Sequence, residues 1–283
     1  HLKPGTEYDA LYEAALCRER SDWIVGINAT RLFSVLYGNT LNVGRVMSPT
    51  LALTVMREAA IAAFISEPFY TVKIQMDGFT ASGERIKSKE KAEKLAADCK
   101  EASAVVTKVE RKNRKEKPPL LYDLTTLQRE ANKIMGYTAQ QTLDYTQSLY
   151  EKKVVTYPRT DSRYLTEDMA AMIPELVQKT AKKFSFSDET VPVRTGQVIN
   201  NKKVTDHQAI IPTKTAAETD LTALPAGERA VLELIARRLV CAVGIPCESD
   251  ETAVELSCAD AVFKAKGSIV TEPGWKAFIS GTE

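Results

Sequence analysis

A tyrosine followed by a proline and an arginine is the most chemically suggestive stretch of this chain of 283 residues. Residues 154–162 read Val-Val-Thr-Tyr-Pro-Arg-Thr-Asp-Ser. Proline disfavours the α-helical region for the residue before it, so we expect this segment to be extended. In an extended segment Tyr157 and Arg159 point to the same side, where a phenol and a planar guanidinium can hold one phosphate. A turn tyrosine beside a surface arginine remains the alternative interpretation.

A tyrosine is also suited to cutting and rejoining a phosphodiester. Phenolate is a competent leaving group, so an ester between tyrosine and phosphate conserves the energy of the broken bond. A second motif, Asp-His-Gln-Ala-Ile-Ile-Pro-Thr over residues 206–213, contains His207, one of 2 histidines in the chain. A protonated imidazole donates hydrogen bonds to phosphate, although a histidine with an ordinary structural hydrogen bond fits the same pattern.

Two groups of residues nearer the start of the chain could also contact phosphates. Arg18 and Asp22 lie four residues apart, which on a helix is by default a surface ion pair, and Arg31 follows them. The adjacent loop combines an arginine with a glycine that permits close approach of a backbone; it consists of Asn42, Val43, Gly44, Arg45, Val46 and Met47.

Composition limits the possible classes. The net charge is only +1, so a nucleic-acid binder would have to concentrate its cations locally. The 5 cysteines are scattered, which argues against a disulfide framework or a zinc site and favours reduced thiols in the cytoplasm. No apolar stretch has membrane-spanning length and no signal peptide is visible, so no membrane partner is expected.

Apolar periodicity divides the chain into helical and β-rich stretches, which indicates an α+β, multidomain protein. Helices are predicted over 7–37, from Ser48 onward, after Thr125 and Thr138, and over 167–182 and 226–243; strands are predicted near 69–76, 105–109 and 254–270. Thr125 and Thr138 each begin a capping-box pattern, and Gly136 stops the first of those helices. The basic run 108–117 is interpreted as a solvated linker, with DNA contact as the alternative. The β unit is therefore expected to be an arm that carries the helical insert.

Four motifs in a fixed order carry a resemblance to a known family. They are Arg-x-Arg-x-Asp-Trp-x-Val-Gly-x-Asn-x-Thr-Arg at 18–31, Gly-Arg-Val-x-Ser-Pro-Thr-Leu at 44–51, Thr-Tyr-Pro-Arg-Thr-Asp-Ser at 156–162 and His-x-Ala-Ile-Ile-Pro-Thr at 207–213. Their order and approximate spacing resemble the type IA DNA topoisomerases, and within that family the bacterial topoisomerase III branch. The likeness covers nearly the whole chain.

This resemblance implies an ATP-independent isomerase that changes DNA linking number by transient cleavage of one strand and strand passage. Tyr157 would form the 5′-phosphotyrosine intermediate, Arg159 would hold the scissile phosphate, and His207 would contact phosphate near the cut. Single-stranded DNA would be the partner, and its further contacts would come from Arg18, Asp22, Arg31, residues 42–47, Thr156 and Asp161.

Family topology also implies a domain division. It assigns a helical strand-binding part to 1–67, a β-rich hinge arm to 68–117 and 244–275, the helical domain with the catalytic tyrosine to 118–243, and a return to the strand-binding domain to 276–283. The family's Mg²⁺-binding toprim domain is expected to be missing from this chain. We therefore expect the fragment to hold no metal or other cofactor, to be inactive alone, and to come from a cytoplasmic, nucleoid-associated enzyme.

Two positions depart from the family pattern. Met47 stands where glutamine is common, and Gln208 stands where an acidic residue or a second histidine is common. One alternative function is a non-catalytic DNA-binding clamp. A tyrosine recombinase fits less well, because its arginines and histidine precede a tyrosine near the chain end, whereas Tyr157 is central.

Overall fold

The computed structural model describes residues 4–279. The chain divides between Phe69 and Tyr70 into two compact units. Within the described residues, every helix is either too short or too polar to cross a membrane. All five cysteines of the sequence are free thiols.

The described part of the first unit contains a short 3₁₀ turn (Gly5–Tyr8) and two α-helices. Helix α1 spans Asp9–Tyr37 and α2 spans Met47–Ala62, in agreement with the predicted helices. Gly38 ends α1 with a φ of 66°, a left-handed conformation that glycine adopts without a steric penalty. The loop between the helices is tied back to α1, because Leu41 N–H donates to Ser34 Oγ at 2.9 Å and Val43 N–H donates to Thr30 Oγ1 at 2.9 Å.

One antiparallel sheet begins the second unit. Its strands are β1 (Tyr70–Met76), β2 (Phe79–Ile86), β3 (Val105–Glu116), β4 (Cys247–Cys258) and β5 (Ala261–Glu272), in the order β1-β2-β5-β4-β3. Strands from two distant stretches of sequence therefore complete a single sheet. Phe263 is fully buried at the centre of its apolar core.

Helix α3 (Lys89–Glu101) covers this core and was not predicted from the sequence. Ser88 caps the helix by accepting a hydrogen bond from Lys91 N–H at 3.2 Å, and Ala92 is buried against the sheet. Few large apolar side chains mark this helix, because small alanines supply most of its buried face.

The basic run 108–117 was predicted to be a linker, and this prediction was wrong. Its residues up to Glu116 belong to edge strand β3, which pairs with β4 along its length. Cross-strand ion pairs at exposed positions explain the high charge: Arg114 lies 3.0 Å from Glu251, and Lys115 lies 2.8 Å from Glu248. Charged side chains are common on edge strands, where they discourage pairing with other chains.

Five helices lie between the two stretches of sheet: α4 (Leu124–Met135), α5 (Ala139–Glu151), α6 (Ile173–Lys183), α7 (Lys214–Glu218) and α8 (Ala226–Ala242). Helix α8 is central, since Leu232 and Ile235 belong to one buried cluster and Leu239 and Val240 to another. The sheet and these helices belong to the same compact unit, and the predicted division between arm and helical domain stays a prediction.

The helix ends test the predicted signals. Gly136 ends α4 with a φ of 73°, as predicted, and Thr138 forms the predicted capping box with Gln141. The capping box predicted at Thr125 is wrong: Asp123 caps α4 by accepting a hydrogen bond from Thr126 N–H at 2.6 Å. Asp123 occupies the N-cap position, so Thr125 lies inside the helix and does not cap it.

Two short 3₁₀ turns were not predicted from the sequence. The helix predicted over 167–182 begins later, since Glu167–Met169 forms a separate 3₁₀ turn before α6. The short 3₁₀ turn Gly274–Phe278 contacts α8 through a hydrogen bond of 2.7 Å from Arg237 Nη1 to Phe278 O. The predicted segment 276–283 begins in this turn and is described as far as residue 279, so residues 280–283 lie outside the described residues. The assignment of this segment to the domain of the first unit stays a prediction.

Candidate active site

Two short segments place the tyrosine of the first motif beside the histidine of the second. Thr156 N–H donates to Ile211 O at 3.0 Å, and Thr213 N–H donates to Val154 O at 3.0 Å. Thr156 Oγ1 adds two bonds, donating to Ala209 O at 2.9 Å and accepting from Ile211 N–H at 2.9 Å. This pairing of 154–156 with 209–213 fixes the start of one motif against the end of the other.

Tyr157 is half-buried between two rings. Its ring centroid lies 4.4 Å from that of His207, tilted by 49°, and 5.3 Å from that of Tyr150 in an edge-to-face contact. His207 itself is exposed. The three rings border a shallow depression of about 510 Å³, whose full lining is Tyr150, Glu151, Lys153, Val155, Thr156, Tyr157, His207, Gln208 and Thr213.

Arg159 does not line the depression that Tyr157 lines. Thr160 N–H donates to Pro158 O at 3.0 Å, which closes a tight turn across Arg159 and breaks the alternation of an extended segment. The segment is therefore not extended at Arg159, and the expected projection of Tyr157 and Arg159 from one side loses the condition on which it depended. Exposed Arg159 instead lines a second depression at the start of α4, of about 340 Å³, together with Asp123, Leu124, Thr125, Leu143, Thr160 and Asp161.

The turn after Arg159 is joined to the histidine loop by two side chains. Thr160 Oγ1 donates to His207 O at 2.8 Å, and Thr205 Oγ1 donates to Asp161 Oδ1 at 3.1 Å. Asp161, predicted to contact DNA, thus uses one carboxylate oxygen to hold the loop that carries His207. Asp161 itself is exposed.

Polar groups behind the tyrosine support this arrangement and were not predicted. Glu228 on α8 is 7% exposed, and its carboxylate accepts hydrogen bonds from Ser148 Oγ at 2.9 Å and from the Lys152 ammonium. A buried carboxylate requires such partners. The end of α5, from which the chain leads to Tyr157, is thereby attached to α8. The helical spacing of Glu228 with Val231, Leu232 and Ile235, which places a glutamate on the apolar face, is the signal that could have revealed it.

The predicted residues of the first unit form a group of their own. Asp22 Oδ1 pairs with Arg45 Nε at 2.7 Å, so the ion pair expected between Asp22 and Arg18 is replaced by one that joins α1 to the loop. Gly44 N–H donates to Ser48 Oγ at 3.1 Å at the start of α2. The other predicted residues present exposed side chains apart from half-buried Val43: Arg18, Arg31, Asn42, Val46 and Met47.

Comparisons with known proteins agree with these motifs. Residues 6–283 match a family model described as DNA topoisomerase. The chain is 37% identical to DNA topoisomerase 3 of Shouchella clausii, covering 100% of this chain and 40% of that relative. It is also 37% identical to DNA topoisomerase 3 of Bacillus subtilis, covering 98% and 40% of the two chains.

A solved structure shows the same fold. Full-length topoisomerase I from Thermotoga maritima superposes with a TM-score of 0.72 at 25% identity, over 95% of this chain and 46% of that one. The chain thus spans about 40% of the length of the curated relatives it matches.

Proposed function

The chain belongs to the DNA topoisomerase family, and on this premise we propose that it is the tyrosine-bearing part of a bacterial type IA enzyme that cuts and rejoins single-stranded DNA. The observation that carries the proposal is the position of Tyr157 at a solvent-open depression, in ring contact with His207. A nucleophile for a polymeric substrate has to be accessible, and a donor beside it can stabilise charge on phosphate.

The reaction would proceed at phosphorus. The Tyr157 hydroxyl oxygen attacks a backbone phosphate, and the new bond joins that phosphorus to the phenol oxygen. The phenol gives up its proton to solvent as it attacks, the bond to the 3′ oxygen of the preceding nucleotide breaks, and that oxygen takes up a proton from solvent to become a free hydroxyl. Attack by this hydroxyl reverses the step after strand passage, so no ATP is needed. Within this scheme His207 donates to an oxygen of the attacked phosphate.

Arg159 would act on the neighbouring part of the same strand. Because Arg159 lines the second depression, it would contact a phosphate next to the attacked one. Its planar donor fork suits phosphate oxygens. In the first unit, Arg31 and Arg45 would neutralise further phosphates, and the Arg45 guanidinium is bound to Asp22 through its Nε.

The expected Mg²⁺ does not fit the residues in hand. Residues 4–279 contain no group of three or more histidine, cysteine, aspartate or glutamate side chains that could hold a metal ion. Mg²⁺ would instead be bound by the toprim domain that the family resemblance implies. Without acid–base and metal groups the phenol is a poor nucleophile at neutral pH, so these 283 residues alone would bind single strands weakly and not cleave them.

End-labelled DNA tests this proposal in a full-length enzyme that carries these residues. A 5′-phosphotyrosine link transfers the 3′ part of the strand, so a 3′ label should migrate with the protein on a denaturing gel and a 5′ label should not. Covalent transfer of the 5′ label would contradict the direction of attack. No transfer of either label, with binding retained, would favour the alternative of a non-catalytic DNA-binding clamp.

A further inference from the structure

Two consecutive lysines follow α5, and they have different surroundings. The Lys152 ammonium binds buried Glu228, which makes it a structural residue. Lys153 adopts a φ of 62°, in the left-handed region that lysine rarely occupies. Lys153 lies in the turn after α5 and lines the same depression as Tyr157.

The backbone of Lys153 is fixed at both ends. Its N–H donates to Tyr150 O at 2.8 Å, and its carbonyl accepts a hydrogen bond from Thr213 Oγ1 at 2.5 Å. Thr213 belongs to the segment that places His207 beside Tyr157. The backbone of Lys153 is thus held by the same hydrogen-bonded framework as the nucleophile, which keeps its flexible side chain within reach of the depression.

The charge in the depression also favours an anion at Lys153. One carboxylate lines it, that of Glu151, and Gln147 Nε2 donates to this group at 3.0 Å along the surface of α5. Among residues 4–279, no ion pair joins Lys153 to a carboxylate. Lys153 is exposed and has no protein counter-ion among these residues, and phosphate is the anion that a DNA strand at Tyr157 would bring.

We infer that Lys153 is a positioning residue: its ammonium binds the phosphate that flanks the one attacked by Tyr157, and the depression it lines is the subsite for that nucleotide. Half-exposed Tyr150 forms the wall of this subsite on the α5 side. The inference rests on the proposed function, since it requires a single strand at Tyr157. It differs from the family-based expectations in depending on a lysine outside the four motifs.

Three variants of the 283-residue chain test this inference by titrating a fluorescent oligothymidylate against salt. Lys153→Gln should weaken binding roughly fivefold near 0.1 M salt and lower the slope of log affinity against log salt by about 0.7, the value for one lost phosphate contact to a single strand. Lys153→Arg should restore both. Lys94→Gln, which removes an exposed lysine from α3, should change neither the affinity nor the slope.

Lys153→Gly separates a loss of charge from a loss of folding. Glycine accepts the left-handed conformation without strain, so this variant should melt about 1–3 °C higher and still lose the same salt slope. An unchanged slope in both Lys153→Gln and Lys153→Gly would overturn the inference, and so would an equal loss in Lys94→Gln. The 3′-label test judges the proposed function separately, since it does not depend on Lys153.

Discussion

Thr156 provides the most informative single perturbation, because one hydroxyl joins the two halves of the site. Thr156 Oγ1 donates to Ala209 O and accepts from Ile211 N–H, and Ala209 and Ile211 are at most 1% exposed. Thr156→Val keeps the shape of the side chain and removes both bonds. A buried donor left unsatisfied costs about 1–3 kcal/mol, and the carbonyl loses its donor as well.

We expect Thr156→Val to lower the free energy of unfolding of the second unit by about 2–3 kcal/mol. This is toward the low end of the cost for two groups that each lose a partner, because Thr156 itself is only partly buried. Urea denaturation measures this as a lower midpoint with an unchanged slope. In a full-length enzyme, displacement of His207 from Tyr157 should also lower the yield of covalent adduct by up to about 100-fold.

Thr219→Val is the matched control, because the Thr219 hydroxyl only donates to Thr215 O on its own short helix. It should change stability by less than about 0.5 kcal/mol. A Thr156→Val effect no larger than that of the control would refute the conclusion that this hydroxyl holds the two segments together.

Three further predictions follow from other contacts. Glu228→Gln should lower the free energy of unfolding measured in urea by about 1–2 kcal/mol, which is less than the loss for a fully buried ion pair because the Lys152 side chain is 42% exposed. An unchanged free energy would show that Glu228 does not stabilise the site. Arg159→Ala should lower the salt slope of single-strand binding by about 0.7, and an unchanged slope would exclude a phosphate contact. Burial and the neighbouring Cys258 thiol raise the pKa of Cys99 to about 11, so Cys99 should be alkylated far more slowly than exposed Cys17 until the pH approaches that value. Mass spectrometry that found Cys99 alkylated before Cys17 would contradict this.

Local signals in the sequence predicted much of the fold. Gly136 and the Thr138 capping box correctly marked adjacent helix ends, because both act through atoms within four residues of one another. The failures required knowledge of distant partners. Strand β3 looks like a solvated linker until the carboxylates of β4, more than a hundred residues later, are paired with its cations.

The site was predictable in part for the same reason. The family resemblance singled out Tyr157 and His207, and the structure places their rings in contact. The position of Arg159 could not be deduced, because the turn across it is held by Thr160, whose hydroxyl donates to His207 O, 47 residues later in the chain. Lys153 belongs to none of the four motifs. Its position beside the nucleophile follows from its left-handed backbone, the hydrogen bond from Thr213 and the depression that it shares with Tyr157.

The identity of the nucleophile is the central claim, and covalent trapping in a full-length enzyme tests it most directly. Tyr157→Phe removes the phenol oxygen and keeps the ring contacts with Tyr150 and His207. Tyr164→Phe is the matched control, since this tyrosine interacts with Lys203 away from the depression. With 3′-labelled single-stranded DNA on a denaturing gel, we predict that Tyr157→Phe forms no adduct and that Tyr164→Phe forms one as the unmodified enzyme does. An adduct that persists in Tyr157→Phe would contradict the account.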